Sequence, residues 1–180
     1  MIQEILFSKL NKNEIKDFLD YFKKSVKDLF PQYSHNSYLY TVDVDYGPEW
    51  LTSKILSNGK IVYLAKKENN IIGYLLTTKS IAGVSYADWL AVDKKFQKKG
   101  VASNLISMWE NDTLNAGGHA LYLWTTSNNN IKFYENRGFI FSGKFPKAWH
   151  GHDVYLMYKI IREPKEENYL RDYLGKKSKS

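Results

Sequence analysis

Apolar residues recur every third or fourth position in some stretches of the chain and lie nearly side by side in others, which predicts helices alternating with strands. Helical spacing over residues 15–29 follows Asn11 and Glu14, which stand at the spacing of an approximate capping box. Residues 32–47 lack such a period and are predicted to form a loop. A proline then suits the first turn of a second helix, predicted at residues 48–56.

Apolar and aromatic runs predict strands at residues 4–9, 61–66, 71–78, 83–92, 120–125, 139–144 and 154–161. Two further helices are predicted, one at residues 99–115 and one from Ser127 or Asn128 to residue 136. The strand–helix–strand succession over residues 86–125 predicts a parallel crossover. Residues 145–153 are predicted to be a loop between the last two strands, so the order of elements is β-α-α-β-β-β-α-β-α-β-β.

Composition adds bounds to this picture. A chain of 180 residues, 43% of them hydrophobic, suffices for one domain, predicted over residues 1–162, with residues 163–180 as a weakly helical tail. The absence of cysteine excludes disulfides, thiolate zinc sites and a cysteine nucleophile. Neither a signal peptide nor a membrane-spanning run is visible, so we expect a cytoplasmic protein without a membrane partner.

The net charge of +7 indicates an anionic partner. Four lysines crowd into residues 94–99, directly before the predicted helix at residues 99–115. The first N–H groups of a helix have no partner within the helix and bind phosphate, and Gly100 leaves the backbone accessible to an anion. This loop therefore predicts a pyrophosphate site. Elsewhere the basic residues show no regular interleaving with aromatic ones, so no specific nucleic acid partner is expected.

Two signatures resemble one protein family. The run Gln97-Lys98-Lys99-Gly100-Val101-Ala102, after a strand ending at Val92, resembles the acyl-CoA signature of the GCN5-related N-acetyltransferase (GNAT) family. The run from Ile131 to Phe139, with Tyr134 at its centre, resembles the second signature of that family. The resemblance covers about residues 60–160. It implies the acyl-CoA N-acyltransferase fold, of mixed α/β class, with a twisted mixed sheet of about seven strands and helices on both faces.

The resemblance also implies acetyl-CoA (coenzyme A) as co-substrate. Its pyrophosphate would lie on the turn from Gln97 to Ala102, and its pantetheine arm would pair with the backbone of Leu90, Ala91 and Val92. The N–H of Val92 would then donate to the oxyanion of the reacting carbonyl. We expect no metal, because the two loop histidines, at positions 150 and 152, have no third ligand at helical spacing.

Tyr134 occupies the position at which the family places a tyrosine near the sulfur of the cofactor. A phenol is protonated at neutral pH and could protonate the departing thiolate. The alternative is an aromatic residue packed in the core. The family often has Asn seven residues before the tyrosine and Ala four before it, whereas this chain has Ser127 and Asn130. Ser127, Asn128 or Asn129 could therefore contact the cofactor.

Asp88 is the only acid in the predicted strand at residues 83–92. Alternation places it on one face with Tyr86, Leu90 and Val92. Asp88 could accept the proton of the attacking amine, directly or through water. A structural hydrogen bond to a neighbouring loop is the alternative.

The first predicted loop and the helix after it hold Asp43, Asp45, Tyr46, Glu49 and Trp50. Carboxylates with aromatic rings would suit a cationic amine, and a solvated acidic loop is an equal alternative. The sequence thus predicts an N-acetyltransferase for a small cationic, polyamine-like amine or a peptide amino group, acting as a monomer or homodimer. A non-catalytic module that binds acyl-CoA or a peptide is the alternative.

Overall fold

The strands form one mixed seven-stranded sheet in the order β1-β2-β3-β4-β5-β7-β6, in a computed structural model that describes residues 4–177. The strands are β1 (Leu6–Lys9), β2 (Lys60–Lys67), β3 (Asn70–Ile81), β4 (Val84–Val92), β5 (Ala120–Thr125), β6 (Ile140–Trp149) and β7 (His152–Ile160). The helices are α1 (Ile15–Leu29), α2 (His35–Tyr40), α3 (Pro48–Leu56), α4 (Val101–Asn115), α5 (Ile131–Glu135), α6 (Glu166–Tyr169) and α7 (Arg171–Lys177). The predicted mixed α/β class is confirmed. Residues 1–3, part of the stretch searched for a signal peptide, and the last three residues of the predicted tail lie outside the described residues.

Strand direction follows the connections. β4 and β5, joined by α4, pair in parallel from Val84↔Ala120 to Ala87↔Leu123, as the predicted crossover requires. The pairs β1–β2, β5–β7 and β6–β7 are antiparallel.

The contacts divide the chain into two compact units. The first contains the described residues up to Thr77 together with Trp89–Ile106. Its core joins one face of α1 to side chains of the strands, and its fully buried members are Phe18, Val26, Leu51, Leu64, Tyr74 and Leu76. The capping box is confirmed, because the Asn11 side chain accepts from the backbone of Asn13 and the Glu14 carboxylate accepts from the backbone of Asn11.

The prediction of a loop over residues 32–47 was wrong. Ser34 caps α2, its side chain accepting from the backbone N–H of Ser37 at 3.1 Å, and a π-helical turn at Thr41–Asp45 follows. The pattern gave no sign of this helix because α2 has six residues and buries none of them. A local side-chain cap can start a helix without an apolar stripe.

The second unit contains Thr78–Asp88 and the chain from Ser107 onward. Its strands bury Leu121 and Met157 completely. The indole N–H of Trp109, on α4, donates to the Ser85 hydroxyl on β4 at 2.8 Å, and the Trp109 ring stacks on Phe139 with centroids 6.3 Å apart. These contacts place α4 and the Phe139 ring against the face of β4 that carries Ser85.

The last hairpin is longer than predicted. Most of the residues predicted as a loop at 145–153 belong to β6 and β7, which continue through two register shifts to the pair Trp149↔His152. Pro146 is tolerated because β6 lies at the edge of the sheet. The backbone N–H of Lys147 donates to the Asp153 carboxylate at 3.0 Å, which closes the irregular end of the hairpin.

The C-terminal tail packs within the second unit, against the segment that precedes β5. The rings of His119 and Tyr169 lie 5.4 Å apart. A Cβ added to Gly117, whose φ is +84°, would lie 2.1 Å from the carbonyl oxygen of Asn168. Glycine is therefore required at this contact. Within residues 4–177, no helix has both the length and the hydropathy needed to cross a bilayer.

Candidate functional site

The turn before α4 leaves its backbone exposed. Residues 97–100 are exposed, whereas Val101 is 2% exposed and anchors the helix in the core. Lys98 and Gly100 have φ values of +59° and +82°. A Cβ added to Gly100 would meet one atom within 4 Å, the Asn104 amide nitrogen at 3.7 Å. The backbone is thus accessible at the place where a helix N-terminus presents its unpaired N–H groups.

Gln97 ties this turn to the end of β4. Its side-chain amide donates to the Val92 carbonyl at 2.9 Å. Asp93, the residue between the strand and the turn, accepts a hydrogen bond at 2.7 Å from the hydroxyl of Tyr21 on α1. Burial raises the pKa of Tyr21 and this bond raises it further, so the phenol stays protonated and keeps donating. The side chains of Gln97 and Tyr21 therefore hold the segment between the end of β4 and the turn before α4 in place.

Phe96 lies amid the predicted cationic cluster. The ammonium groups of Lys95, Lys99 and Lys67 lie 5.2, 5.7 and 5.8 Å from the centre of its ring. Each distance is within reach of a cation–π contact. The ring gathers positive charge beside the exposed backbone, including Lys67 from β2. Sequence reasoning missed Lys67 because only the fold brings it to this turn.

The backbone proposed to bind pantetheine lies at the end of β4. Leu90 is half-buried, and Ala91 and Val92 are 4% and 6% exposed. The predicted alternation therefore ends before Val92. On the neighbouring strand, a Cβ added to Gly73 would approach the Ala91 carbonyl oxygen to 3.0 Å, so glycine permits close packing at this point. The β4–β5 pairing described above ends at Ala87, before Leu90, Ala91 and Val92.

Tyr134 is buried, with 7% of its surface exposed. Its ring packs edge-on against Phe133 and Phe139, with centroids 5.0 and 5.7 Å away. Burial raises the pKa of the Tyr134 phenol above its usual range, and the positive charge of Arg137 opposes this rise only in part. The phenol is therefore protonated at neutral pH. Its role in catalysis stays a prediction, since core packing alone would account for the ring contacts.

Asp88 is half-buried, as are Tyr86 and Leu90. The Thr78 hydroxyl donates to its carboxylate at 3.2 Å. The negative charge of Asp88 also adds to the rise that burial causes in the pKa of Tyr122. Tyr122 pairs with Tyr86, and Asp88 lies two residues after Tyr86 on the same face of β4. The structure thus supplies the hydrogen bond expected of a structural aspartate, and the role of Asp88 as a base stays a prediction.

The segment before α5 is built around Thr125. The side-chain amide of Asn130 donates to the Thr125 hydroxyl at 2.9 Å, and the backbone of Ser127 donates to it at 3.4 Å. Ser127 is half-buried and its side chain makes no capping bond. Asn128 and Asn129 are exposed. Asn130 is thus held within the chain, while the other three remain candidates for contact with the cofactor.

The acidic segment considered for amine binding has partners of its own. Asp43 pairs with Lys23 at 3.3 Å. The ammonium groups of Lys54 and Lys60 lie 5.8 and 6.0 Å from the Trp50 ring centre. Lysines of the chain thus already supply the cations that an external amine would provide. Among residues 4–177, no group of three or more His, Asp or Glu side chains could hold a metal ion.

Residues 58–141 match the family model of the acetyltransferase (GNAT) domain. No curated protein matches the chain. Solved structures do match over nearly the whole chain. The PaiA N-acetyltransferase of Thermoplasma acidophilum, in complex with coenzyme A, is 18% identical with a TM-score of 0.71, covering 87% of this chain and 99% of its own.

Two further solved structures are similar to this chain over most of its length. An acetyltransferase of the GNAT family from Staphylococcus aureus Mu50 is 19% identical with a TM-score of 0.68, covering 88% of this chain and 100% of its own. An aminoglycoside 6'-N-acetyltransferase complexed with coenzyme A is 16% identical with a TM-score of 0.67, covering 89% and 99%. These likenesses establish the fold, and the recognition made from the two signatures is confirmed.

Proposed function

Residues 58–141 form a GNAT acetyltransferase domain, and on that premise we propose that this protein transfers an acetyl group from acetyl-CoA to a primary amine. The observation that carries the proposal is the exposed turn before α4, with Gly100 in the left-handed region and open space beside it. Two of the structures of the same fold are complexes with coenzyme A, which supports the assignment of this turn to a pyrophosphate.

Binding of acetyl-CoA would use the first unit. The N–H groups of residues 98–102 would donate to the pyrophosphate, and the lysines gathered around Phe96 would compensate its charge. The pantetheine amides would pair with the backbone of Leu90, Ala91 and Val92. Ser127 or Asn128 would make further contacts with the cofactor.

The reaction would proceed by direct attack. The amine nitrogen forms a bond to the thioester carbon, the carbonyl oxygen becomes an oxyanion that accepts from the N–H of Val92, and the C–S bond then breaks. Asp88 or a water molecule takes the proton lost by the amine. The Tyr134 phenol, the proposed general acid, donates its O–H to the sulfur as the C–S bond breaks, and the released thiolate takes its proton from solvent.

Relative acidities define the contribution of Tyr134. A thiol ionises near pH 8.5 and an ordinary phenol near pH 10, and burial raises the pKa of Tyr134 further. Complete proton transfer to an already formed thiolate is therefore uphill. The phenol contributes most as a hydrogen-bond donor while the charge on sulfur develops, since that bond strengthens in the transition state.

Release of free thiol from acetyl-CoA with a panel of primary amines tests the proposal. We expect release that depends on the amine, together with formation of the acetylated amine by mass. Calorimetric binding of coenzyme A without release from acetyl-CoA for any amine would favour the non-catalytic binding module and overturn the enzyme assignment.

A further inference from the structure

One face of the sheet in the second unit carries a band of aromatic side chains. The register aligns Tyr86 on β4, Tyr122 on β5 and Tyr158 on β7 in one row across the strands. The rings of Tyr86 and Tyr122 lie 4.8 Å apart. Two residues further along β5, Trp124 contacts Phe145 of β6, with ring centroids 6.5 Å apart. We call these five residues the aromatic strip.

The strip lies on the exposed face of these strands. Trp124 and Phe145 are 41% and 60% exposed. The residues that alternate with the strip on β5 and β7, Leu121, Leu123 and Met157, are at most 3% exposed. Helix α4 contacts β4 through Ser85, on the face opposite Tyr86. On β5 the two faces of the strand differ sharply in exposure.

The exposed face has open space beside Gly143, on β6. Gly143 pairs with Leu156 across β6 and β7, between the rows that contain Tyr158 and Phe145. A Cβ added to Gly143 would meet no atom within 4 Å, and its φ lies outside the left-handed region. From β4 to β6 the face spans four strands, a width of about 14 Å at the usual strand spacing.

The exposed face carries few charged side chains. Among the described residues that the register places beside the strip on β5, β6 and β7, none is charged, and on β4 the one carboxylate is Asp88. Asp88 follows Tyr86 by two residues on the same face of β4, which makes it a diagonal neighbour of Tyr122, the partner of Tyr86. The Thr78 hydroxyl donates to its carboxylate. The face thus offers one negative charge at one end of an apolar, aromatic surface.

Resting on the proposed function, we propose that the aromatic strip binds the body of the acceptor, and that the acceptor is a primary amine with one positive charge and an apolar or aromatic body. The ammonium group pairs with Asp88 and lies against tyrosine rings, where cation–π contact adds to charge pairing. The body lies over Trp124, Gly143 and Phe145. A polyamine would leave its second ammonium group on this apolar surface without a carboxylate, which is unfavourable.

Steady-state kinetics with three amines test this assignment. We expect kcat/KM for 2-phenylethylamine to exceed the values for propylamine and putrescine by about tenfold. Phe145→Ala removes one aromatic ring of the aromatic strip. Gly143→Leu places a side chain in the open space beside Gly143. Each should reduce the preference for 2-phenylethylamine about threefold to tenfold, with the KM for acetyl-CoA unchanged.

Phe141 provides the matched control. It lies on the same strand and is 41% exposed, but it pairs with Met157 and contacts Tyr155, on the other face. Phe141→Ala should keep the amine preference, and thermal unfolding checks that all three variants fold. A preference for putrescine would overturn this inference and leave the proposed function standing, as would equal effects of Phe141→Ala and Phe145→Ala. Absence of thiol release with every amine would overturn the proposed function and this inference with it.

Discussion

At the scale of single residues, the packing of the Tyr134 ring and the proposed chemistry of its hydroxyl can be tested separately. Its ring is held by two phenylalanines, so the hydroxyl can be removed without loss of the ring contacts. Because burial raises the pKa of this phenol, the protonated form persists to higher pH than for an exposed tyrosine. The proposed proton donor therefore stays protonated from neutral pH to pH 10.

Tyr134→Phe should therefore lower kcat by about 10²-fold to 10³-fold, as expected when a hydrogen-bond donor to developing charge is lost, with little change in the KM for acetyl-CoA. In the native protein, kcat should show no fall caused by Tyr134 near pH 10, since its raised pKa keeps the donor protonated there. Steady-state kinetics of both proteins between pH 7 and pH 10.5 give these values. An unchanged kcat in the variant would exclude a role for the hydroxyl.

At the scale of elements, the start of α4 combines a left-handed glycine with an exposed backbone. Asn and Asp tolerate φ > 0 better than other residues with a side chain, so they can replace Gly100 with similar strain. The two side chains have nearly the same shape and differ in charge. Comparison of these two variants separates the electrostatic part of the proposed pyrophosphate binding from the effect of backbone strain.

Gly100→Asp should raise the KM for acetyl-CoA at least about tenfold above that of Gly100→Asn, because a carboxylate beside a phosphate repels it. The difference should shrink at high salt, since screening weakens interactions between exposed charges. Initial rates at two ionic strengths provide the measurement. Equal KM values in the two variants would argue against an anion at this turn.

The docked tail offers a second test at this scale. Gly117→Ala should displace α6, because its Cβ would overlap the Asn168 carbonyl and its φ is +84°. We expect faster proteolysis within residues 163–177 and a loss of about 1–3 kcal/mol in the free energy of unfolding. Gly175→Ala is the control, since its added Cβ meets nothing within 4 Å. Tail cleavage at the native rate in Gly117→Ala would contradict this account.

Sequence patterns predicted those elements whose signals are local. The capping box before α1, the proline at the start of α3 and the hairpin of β2 and β3 were all readable from neighbouring residues. Helix α2 was missed because it buries no apolar side chain. The far end of β6 was missed because Pro146 and the residues after it read as a loop, and pairing with β7 overrides that tendency.

In the candidate site, too, features made by contiguous residues were predictable and contacts that depend on the fold were not. The turn from Gln97 to Ala102 was predictable because its glycine and lysines are contiguous. The bond from Gln97 to Val92 and the approach of Lys67 to Phe96 depend on the fold. Tyr122 was not selected because its nearness to Asp88 follows from the parallel pairing of two strands that α4 separates in sequence.

At the scale of the whole molecule, β3 and β4 each belong to both units, which divide after Thr77 and after Asp88. Each unit also contains a buried tyrosine, Tyr74 in the first and Tyr134 in the second. Burial raises the pKa of both phenols. Each unit therefore contains a phenol whose ionisation links the free energy of unfolding to pH.

The free energy of unfolding should fall as the pH rises above about 10, where phenols ionise in the unfolded chain and stay protonated in the folded one. Below that pH both states are protonated and the contribution is constant. Each buried phenol removes up to about 1.4 kcal/mol per pH unit. Urea unfolding at pH 8 and pH 10.5 measures this loss, which Tyr74→Phe and Tyr134→Phe should each reduce. A loss of the same size in both variants and in the native protein would contradict the assignment.

The hydrogen bond from the Gln97 side chain to the Val92 carbonyl has a kinetic consequence. It joins the turn proposed to bind the diphosphate to Val92, the residue whose N–H is proposed to polarise the thioester, so occupancy of the turn restrains that residue. We expect compulsory-order kinetics in which the nucleotide thioester enters first and the amine second. Initial-velocity and product-inhibition patterns would report that order, and Gln97→Ala should make it random.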